Sequence, residues 1–229
     1  MLKRLLASAL FAGLAAGTVA AFLQLWLIVP LILEAELYET GALAHAPATG
    51  TEHIHAVSEA QDGAGLVRHA LTFFMNLVTY SGLGLVLVAG MALAERAGRV
   101  MTVRDGLFWG AAGFVAVQLA PSAGLPPELP GMPAADLAAR QTWWAVTVLA
   151  SGGGLALLAF GRRSSLVGAG LVLLLAPHLY GAPQPALHGG VVPPDLAALF
   201  ASRSLAAGAA VWALLGVTAA YFWNRQAPA

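Results

Sequence analysis

Histidine and acidic side chains gather in one short stretch of this chain, where they could bind a divalent metal ion. The stretch Glu52-His53-Ile54-His55 places two imidazoles two residues apart beside a carboxylate. Mixed imidazole and carboxylate ligands suit Ni²⁺, Co²⁺, Zn²⁺ or Cu²⁺, but no closed tetrahedral pattern is present. The stretch predicts a mobile, weak metal trap of low selectivity. The alternative interpretation is a solvated acidic loop whose histidines bind nothing.

A second set of candidate metal ligands lies just beyond long apolar runs of the sequence. Its members are Glu34, Glu36, Glu128, His178 and His188. If the segments that carry them meet, the first four form a metal site at the outer boundary of a membrane, with the fifth as an accessory ligand. The alternative is a belt of ion pairs, in which the acids bind the three arginines predicted at the same level, Arg68, Arg140 and Arg203.

Several classes of chemistry are excluded by what the sequence lacks. The chain has no cysteine, so disulfides and thiolate metal sites are impossible. It contains no phosphate-binding Gly-x-x-x-x-Gly-Lys-Ser/Thr motif, no His-Glu-x-x-His motif and no nucleophile elbow. Its net charge of zero argues against a nucleic-acid partner. We therefore expect neither an enzyme nor an organic cofactor.

The elements that must position the candidate ligands are membrane-spanning helices. Hydrophobic residues make up 59% of the chain and charged residues only 10%, far from the charged shell of a soluble domain. Six apolar runs approach the roughly twenty residues needed to cross a bilayer. They are 5–33, 69–94, 106–120, 142–160, 166–176 and 204–223. The first run is too long for a signal peptide, so we interpret it as an uncleaved helix.

The distribution of charge predicts how these helices are oriented. The predicted inner segments hold eight basic residues and two acids, whereas the outer segments hold three arginines and nine acids. The excess of basic residues marks the cytoplasmic side, which predicts a bacterial inner-membrane protein with both termini in the cytoplasm. The outer loops are then 34–68, 121–141 and 177–203. A five-span arrangement is the alternative if the run 166–176 is re-entrant.

The predicted spans also suggest an internal repeat and ordered outer loops. Odd spans end near proline and even spans begin just after arginine, which suggests three helical hairpins, although chance explains the pattern nearly as well. Proline and glycine crowd 121–133 and 177–194 and limit their conformations. We therefore expect these two loops to fold over the bundle as a lid. Their apolar anchors would be Leu125, Leu129, Leu179 and Leu187.

Four strings of residues carry a resemblance to a known family. They are Pro30-Leu-Ile-Leu-Glu34-Ala-Glu36, Ala120-Pro-x-x-Gly-Leu-Pro-Pro-Glu128-Leu-Pro-Gly131, Arg140-Gln-x-Trp-Trp144 and Pro177-His178-x-x-Gly-Ala-Pro183. With the His/Glu stretch after the first string, they resemble the CbtA family of predicted cobalt transporter proteins over nearly the whole chain. The resemblance implies an inner-membrane protein that takes up cobalt for cobalamin synthesis. It also implies a partner, a small second protein with one span and a His-rich tail.

Together these observations predict one all-α transmembrane domain over 1–229, built as a six-helix bundle. Its predicted function is to move a divalent metal, Co²⁺, inward. The alternative is a membrane scaffold or metal-delivery subunit that does not itself transport. A polar path from the outer ligands through the bundle would favour transport, and a dry bundle packed with glycine and alanine would favour the scaffold.

Overall fold

The computed structural model describes residues 1–43, 62–186 and 189–226, and these residues form six helices and no strand. The helices are α1 (Leu2–Glu39), α2 (Asp62–Arg96), α3 (103–122), α4 (Leu137–Phe160), α5 (Ser164–Tyr180) and α6 (Pro194–Arg225). The predicted all-α architecture is confirmed. The histidine stretch with His53 and His55, together with Leu187 and His188, lies outside the described residues.

Four of the described helices are long and apolar enough to cross a membrane. They are α1, α4, α6 and the part of α2 from Gly65 to Arg96. At a rise of 1.5 Å per residue, α3 is about 30 Å long and α5 about 26 Å, against a hydrocarbon core of about 30 Å. The fifth helix is therefore the shortest, as the sequence predicted, and the chain is a multi-pass membrane protein.

Helix α1 lies at the centre of the bundle because one of its faces carries only small residues. Ala9, Ala12, Ala16 and the two glycines Gly13 and Gly17 are all buried. These residues let α2 approach backbone to backbone, and a Cβ atom on Gly17 would stand 2.8 Å from the carbonyl oxygen of α2 residue 76. In lipid, such close approach provides the van der Waals contact that holds helices together. Helix α6 packs on the other side of α1.

Two further helix pairs approach each other through glycine. Gly106 and Gly110 of α3 meet the backbone of α6 at Gly216, and Gly154 of α4 meets Gly170 of α5. The pairs that approach closely through glycine are therefore α1 with α2, α3 with α6 and α4 with α5. Only the first is one of the three successive hairpins that the sequence suggested. Within the described chain α5 packs closely against α4 alone, so it lies at the edge of the bundle.

Helices α1 and α3 share one local irregularity. Each contains a single π-helical turn, over Gln24–Ile28 in α1 and Val115–Leu119 in α3. In both, a proline follows two residues after the turn, at Pro30 and Pro121. Because proline has no backbone N–H and crowds the preceding turn, a wider turn before it lets the helix continue. This common feature supports an internal likeness between the two helices.

Candidate functional site at the loop end

The two ends of the bundle differ in what they carry. The start of α1 and the end of α6 lie together at one end, where Nε of Arg4 in α1 donates to the carbonyl oxygen of Trp223 in α6, at 2.9 Å. We call this the terminal end. The opposite end, which carries residues 123–136 between α3 and α4, is called the loop end. All five candidate ligands of the second set were predicted on this side.

The segment 123–136 is ordered and anchored between two helices. Leu129 is only 3% exposed and packs, with Met132, in an apolar cluster formed mainly by α1 and α6 residues such as Leu31 and Phe200. Leu129 and Met132 also form a turn, since the N–H of Met132 donates to the carbonyl oxygen of Leu129 at 3.3 Å. Gly131 stands in this turn with φ 79°, a conformation that favours glycine. The predicted order of this loop is confirmed.

The expectation of apolar anchors in the third outer loop is wrong at Leu179. Its side chain is 84% exposed, because α5 lies at the edge of the bundle and no other helix covers this face. Leu125 of the second loop is only half-buried. Order in the second loop thus depends on Leu129 and Met132, while the end of α5 has no comparable anchor among the described residues.

Glu128 is positioned by the buried residue that follows it. With Leu129 fixed in the apolar cluster, the Glu128 side chain meets Arg140 in the first turns of α4, and Nη2 of Arg140 lies 2.6 Å from Oε2 of Glu128. Helix α4 begins there because Asp136 caps it, accepting a hydrogen bond from the N–H of Ala139 at 2.9 Å. Nε of Arg140 is buried and has no hydrogen-bond partner among the described residues.

The Glu128–Arg140 pair lies in a cavity of about 730 Å³ at the loop end. Its walls are mostly apolar and come from α1, the 123–136 segment, α4 and α6. Gln141 and Trp144 of α4 and Phe200 of α6 line it beside the pair. A concave, mainly apolar site with a few converging polar groups is the usual form of a small-ligand site. The sequence had not assigned Gln141 and Trp144 to a site, although both occur in the Arg140-Gln-x-Trp-Trp144 string.

Glu36 of α1 forms a second ion pair at the loop end, with α2. Arg68 of α2 binds both of its carboxylate oxygens, with Nη2 at 3.0 Å from Oε1 and at 3.1 Å from Oε2. About a third of the Glu36 side chain is exposed. The same arginine lines a groove along α2, where Nδ2 of Asn76 donates to Oε1 of Gln24 at 2.7 Å. Glu34, two residues earlier, is exposed.

His178 stands apart from both acids. Its exposed ring lies edge-on to Trp143 of α4, with ring centroids 6.0 Å apart. Nε1 of Trp143 donates to the carbonyl oxygen of Pro177 at 3.3 Å, which fixes the indole at the junction of α4 and α5. Neither His178 nor Trp143 lines the cavity of Glu128. The end of α5 therefore does not bring His178 to the carboxylates in this structure.

Comparison with known proteins assigns this chain to a family. A family model described as "Probable cobalt transporter subunit (CbtA)" matches residues 2–224. The chain belongs to this family. No curated protein and no solved structure matches it. The matched region contains nearly all of the six helices and the whole loop end, and the word "subunit" implies that CbtA proteins act with a partner.

Two of the acids at the loop end of this CbtA chain are held in ion pairs. Within residues 1–43, 62–186 and 189–226, no three His, Asp or Glu side chains lie close enough together to hold a metal ion. The four-residue metal site is thus not assembled there, and metal binding by these residues stays a prediction. Glu36 and Glu128 are instead paired with Arg68 and Arg140, as the alternative interpretation expected.

The third arginine of the predicted belt has a different partner. Nη1 of Arg203 in α6 donates to the carbonyl oxygen of Leu27 at 3.4 Å, inside the π turn of α1. One residue later, the carbonyl oxygen of Ser204 accepts from Nε2 of Gln118 in the π turn of α3, at 3.2 Å. The two π turns of CbtA therefore supply polar groups to the same level of α6, and Arg203 pairs there with backbone rather than with an acid.

Proposed function

We propose that this CbtA chain is a bacterial inner-membrane subunit for uptake of a divalent metal, with Co²⁺ as its substrate and cobalamin synthesis as its destination. Membership of the cobalt transporter subunit family is the observation that carries this proposal. Its partner is a small single-span protein with a His-rich tail, as the family resemblance implies. The apolar helices support a position within the membrane.

The proposed orientation places the loop end outside the cell. The basis is the excess of basic residues in the segments at the terminal end. Reporter domains fused after Arg163 and Arg225 are expected to be cytoplasmic, and a reporter inserted at Pro133 is expected to be periplasmic. A periplasmic reporter after Arg225 would contradict the orientation and favour a five-span arrangement.

Metal capture is proposed to start in the segment between α1 and α2. This segment leaves α1 after Glu39 and enters α2 at Asp62, both at the loop end, and it carries Glu52, His53 and His55. A cation held weakly there is delivered next to the carboxylates Glu34 and Glu36. His178 and His188 serve as accessory ligands on the same side. Imidazole and carboxylate ligands suit Co²⁺ without holding it too tightly to release.

Glu128 is proposed as the acceptor inside the cavity, with Arg140 as an exchangeable partner. Of the two Glu128 oxygens only Oε2 is bonded to Arg140, and Nε of Arg140 has no partner among the described residues. Such a pair makes fewer bonds than a two-pronged arginine–carboxylate pair and is easier to separate. A divalent cation that reaches the cavity would therefore replace the guanidinium at the carboxylate.

Uptake of radioactive Co²⁺ by cells tests this role of Glu128. In cells that carry the partner protein, Glu128→Gln is expected to lower uptake about tenfold or more, because the neutral amide is a poor ligand for the cation. Asp195→Asn is the matched control, since Asp195 is an exposed acid at the same end of the bundle. Unchanged uptake in Glu128→Gln, or loss of that variant from the membrane, would refute the assignment.

One observation favours a second function, that of a scaffold or metal-delivery subunit. The cluster between α1, α2 and α6 is filled by alanine and by large apolar side chains such as Val88, Met91 and Leu215. Across the described residues, the buried polar side chains are only Ser8, Thr147 and Ser151, which form no polar path. Liposomes decide between the two functions: Co²⁺ accumulation by this chain alone supports transport, and accumulation only with the partner supports the scaffold.

A further inference from the structure

An apolar chamber of about 510 Å³ lies between α2, α3 and α4, within the depth of the membrane. Its wall on α4 is thinned in the middle by small residues, among them Gly152, Gly153 and Ala156. A Cβ atom added to Gly152 would meet nothing within 4 Å, so this glycine is not explained by close helix packing. The chamber is therefore space that the helices of this chain leave unfilled.

The chamber is bounded at both ends and open at its side. Towards the loop end, α4 packs against the π turn of α3. At the terminal end, Nη2 of Arg99 donates to the carbonyl oxygen of Ala159 at 3.2 Å, and the rings of Trp109 and Phe160 lie 6.3 Å apart. The large apolar side chains at its rim are exposed: Val86, Phe108 and Leu149. Exposed apolar groups at this depth face hydrocarbon rather than water.

Positive charge surrounds the terminal end of the chamber. Arg99 stands there with its guanidinium 5.4 Å from the Phe160 ring, and the exposed Arg162 and Arg163 come two and three residues after Phe160. Asp105 is the acid near Arg99, but its carboxylate already accepts two hydrogen bonds from Thr102 at 2.7 and 2.8 Å. The three arginines thus outnumber the nearby acid.

The length of the chamber matches one leaflet of a bilayer. Its wall on α4 runs from Val148 to Phe160, which is about 18 Å at the helical rise, and half of the hydrocarbon core is about 15 Å. An acyl chain in the chamber would therefore bring its headgroup to the level of the arginines. Charge complementarity then requires an anionic headgroup there.

We infer that the chamber binds one acyl chain of an anionic phospholipid, whose phosphate is held by Arg99 with help from Arg162 and Arg163. Arginine binds phosphate oxygens through paired N–H groups, and basic pockets between membrane helices are a known setting for such headgroups. The lipid fills the space beside Gly152 and joins the α4–α5 pair to the rest of the bundle. This inference does not depend on what the protein transports.

Native mass spectrometry of the purified protein tests the acyl-chain part of the site. Dioleoyl phosphatidylglycerol is expected to be retained about tenfold better than dioleoyl phosphatidylcholine. Gly152→Leu fills the chamber and is expected to abolish this retention. Gly168→Leu is the control, because Gly168 also has open space around it but lies on α5, away from the chamber. Retention by Gly152→Leu equal to the unmodified protein would overturn the inference.

The headgroup part is tested with charge variants in the same measurement. Arg99→Gln is expected to remove the preference for phosphatidylglycerol, and Arg99→Lys to keep part of it. Arg225→Gln, at the end of α6, is the control and should retain the preference. Equal binding of both lipids by the unmodified protein would overturn the inference. So would a Gly152→Leu protein that keeps phosphatidylglycerol but loses the partner protein, because a protein helix would then occupy the chamber.

Discussion

The Arg4–Glu95 pair at the terminal end and the Arg140–Glu128 pair at the loop end each join two segments, but they differ in how completely they are bonded. At the terminal end, Nε of Arg4 donates to Trp223 while its two Nη atoms contact both oxygens of Glu95, at 3.2 and 3.4 Å. Its guanidinium also lies 3.8 Å from the Trp223 ring centroid. At the loop end, Arg140 makes one bond to Glu128 and leaves Nε without a described partner.

The difference indicates that charge fastens helices together around Arg4 at the terminal end, whereas apolar packing fastens the 123–136 segment at the loop end. Arg4 joins α1, α2 and α6, and its side chain is 15% exposed. At the loop end, α1 and α6 are joined instead by Leu129 and the apolar residues around it. The ion pair of Glu128 is therefore not required to hold helices together, which leaves it free to change partners.

The largest expected effect on stability comes from breaking the Arg4–Glu95 pair at the terminal end. Arg4→Ala removes a charge-assisted hydrogen bond, an ion pair and a cation–π contact, so we expect a loss of about 2–4 kcal/mol in the free energy of unfolding. Arg225→Ala is the control, since among the described residues Arg225 bonds only to Tyr221 of its own helix, at 3.2 Å. Thermal unfolding in detergent measures both variants.

A conservative variant sharpens this prediction. Arg4→Lys keeps the charge but loses the flat, forked guanidinium that reaches Trp223 and Glu95 together. Its thermal stability is therefore expected to lie between that of Arg4→Ala and that of the unmodified protein. Equal stability of Arg4→Ala and Arg225→Ala would contradict the idea that charge fastens the terminal end.

Two features of the loop end could be predicted from the sequence: its ion pairs and the order of the segment 123–136. The segregation of charge placed Arg68 and Arg140 at the level of the acids, and both form the expected ion pairs. The crowding of proline and glycine predicted the order of the segment that carries Glu128. These features are local in sequence, and each depends on a residue type that has few alternatives at a membrane boundary.

The predictions that were wrong or stayed untested depend on which helices pack against each other. Membrane helices are apolar on all sides, so polarity does not mark the buried face. Gly106 and Gly216 are far apart in the sequence, and nothing in it pairs α3 with α6 rather than with α4. For the same reason, the sequence could not show which helices surround α5, and the predicted metal site required its end to bring His178 to Glu128. Its position at the edge separates the two and exposes Leu179.

A smaller effect on stability is expected at Gly131, where apolar packing fastens the 123–136 segment. Gly131 has φ 79°, and a Cβ atom there would lie 3.0 Å from Val191 and 3.2 Å from Cβ of Glu39 at the end of α1. Gly131→Ala therefore meets both backbone strain of about 1–2 kcal/mol and crowding against α1.

Gly98 allows the strain to be separated from the crowding. It has φ 85° in the turn after α2 at the terminal end, and a Cβ atom on it would meet nothing within 4 Å. Gly98→Ala is expected to cost only the backbone strain, while Gly131→Ala should cost about 1 kcal/mol more because Val191 and Glu39 must shift. The excess should also appear as faster proteolysis of 123–136, since the turn at Gly131 docks Leu129 and Met132 into the apolar cluster. Equal losses of stability with unchanged proteolysis would mean that this turn is not what joins the 123–136 segment to α1.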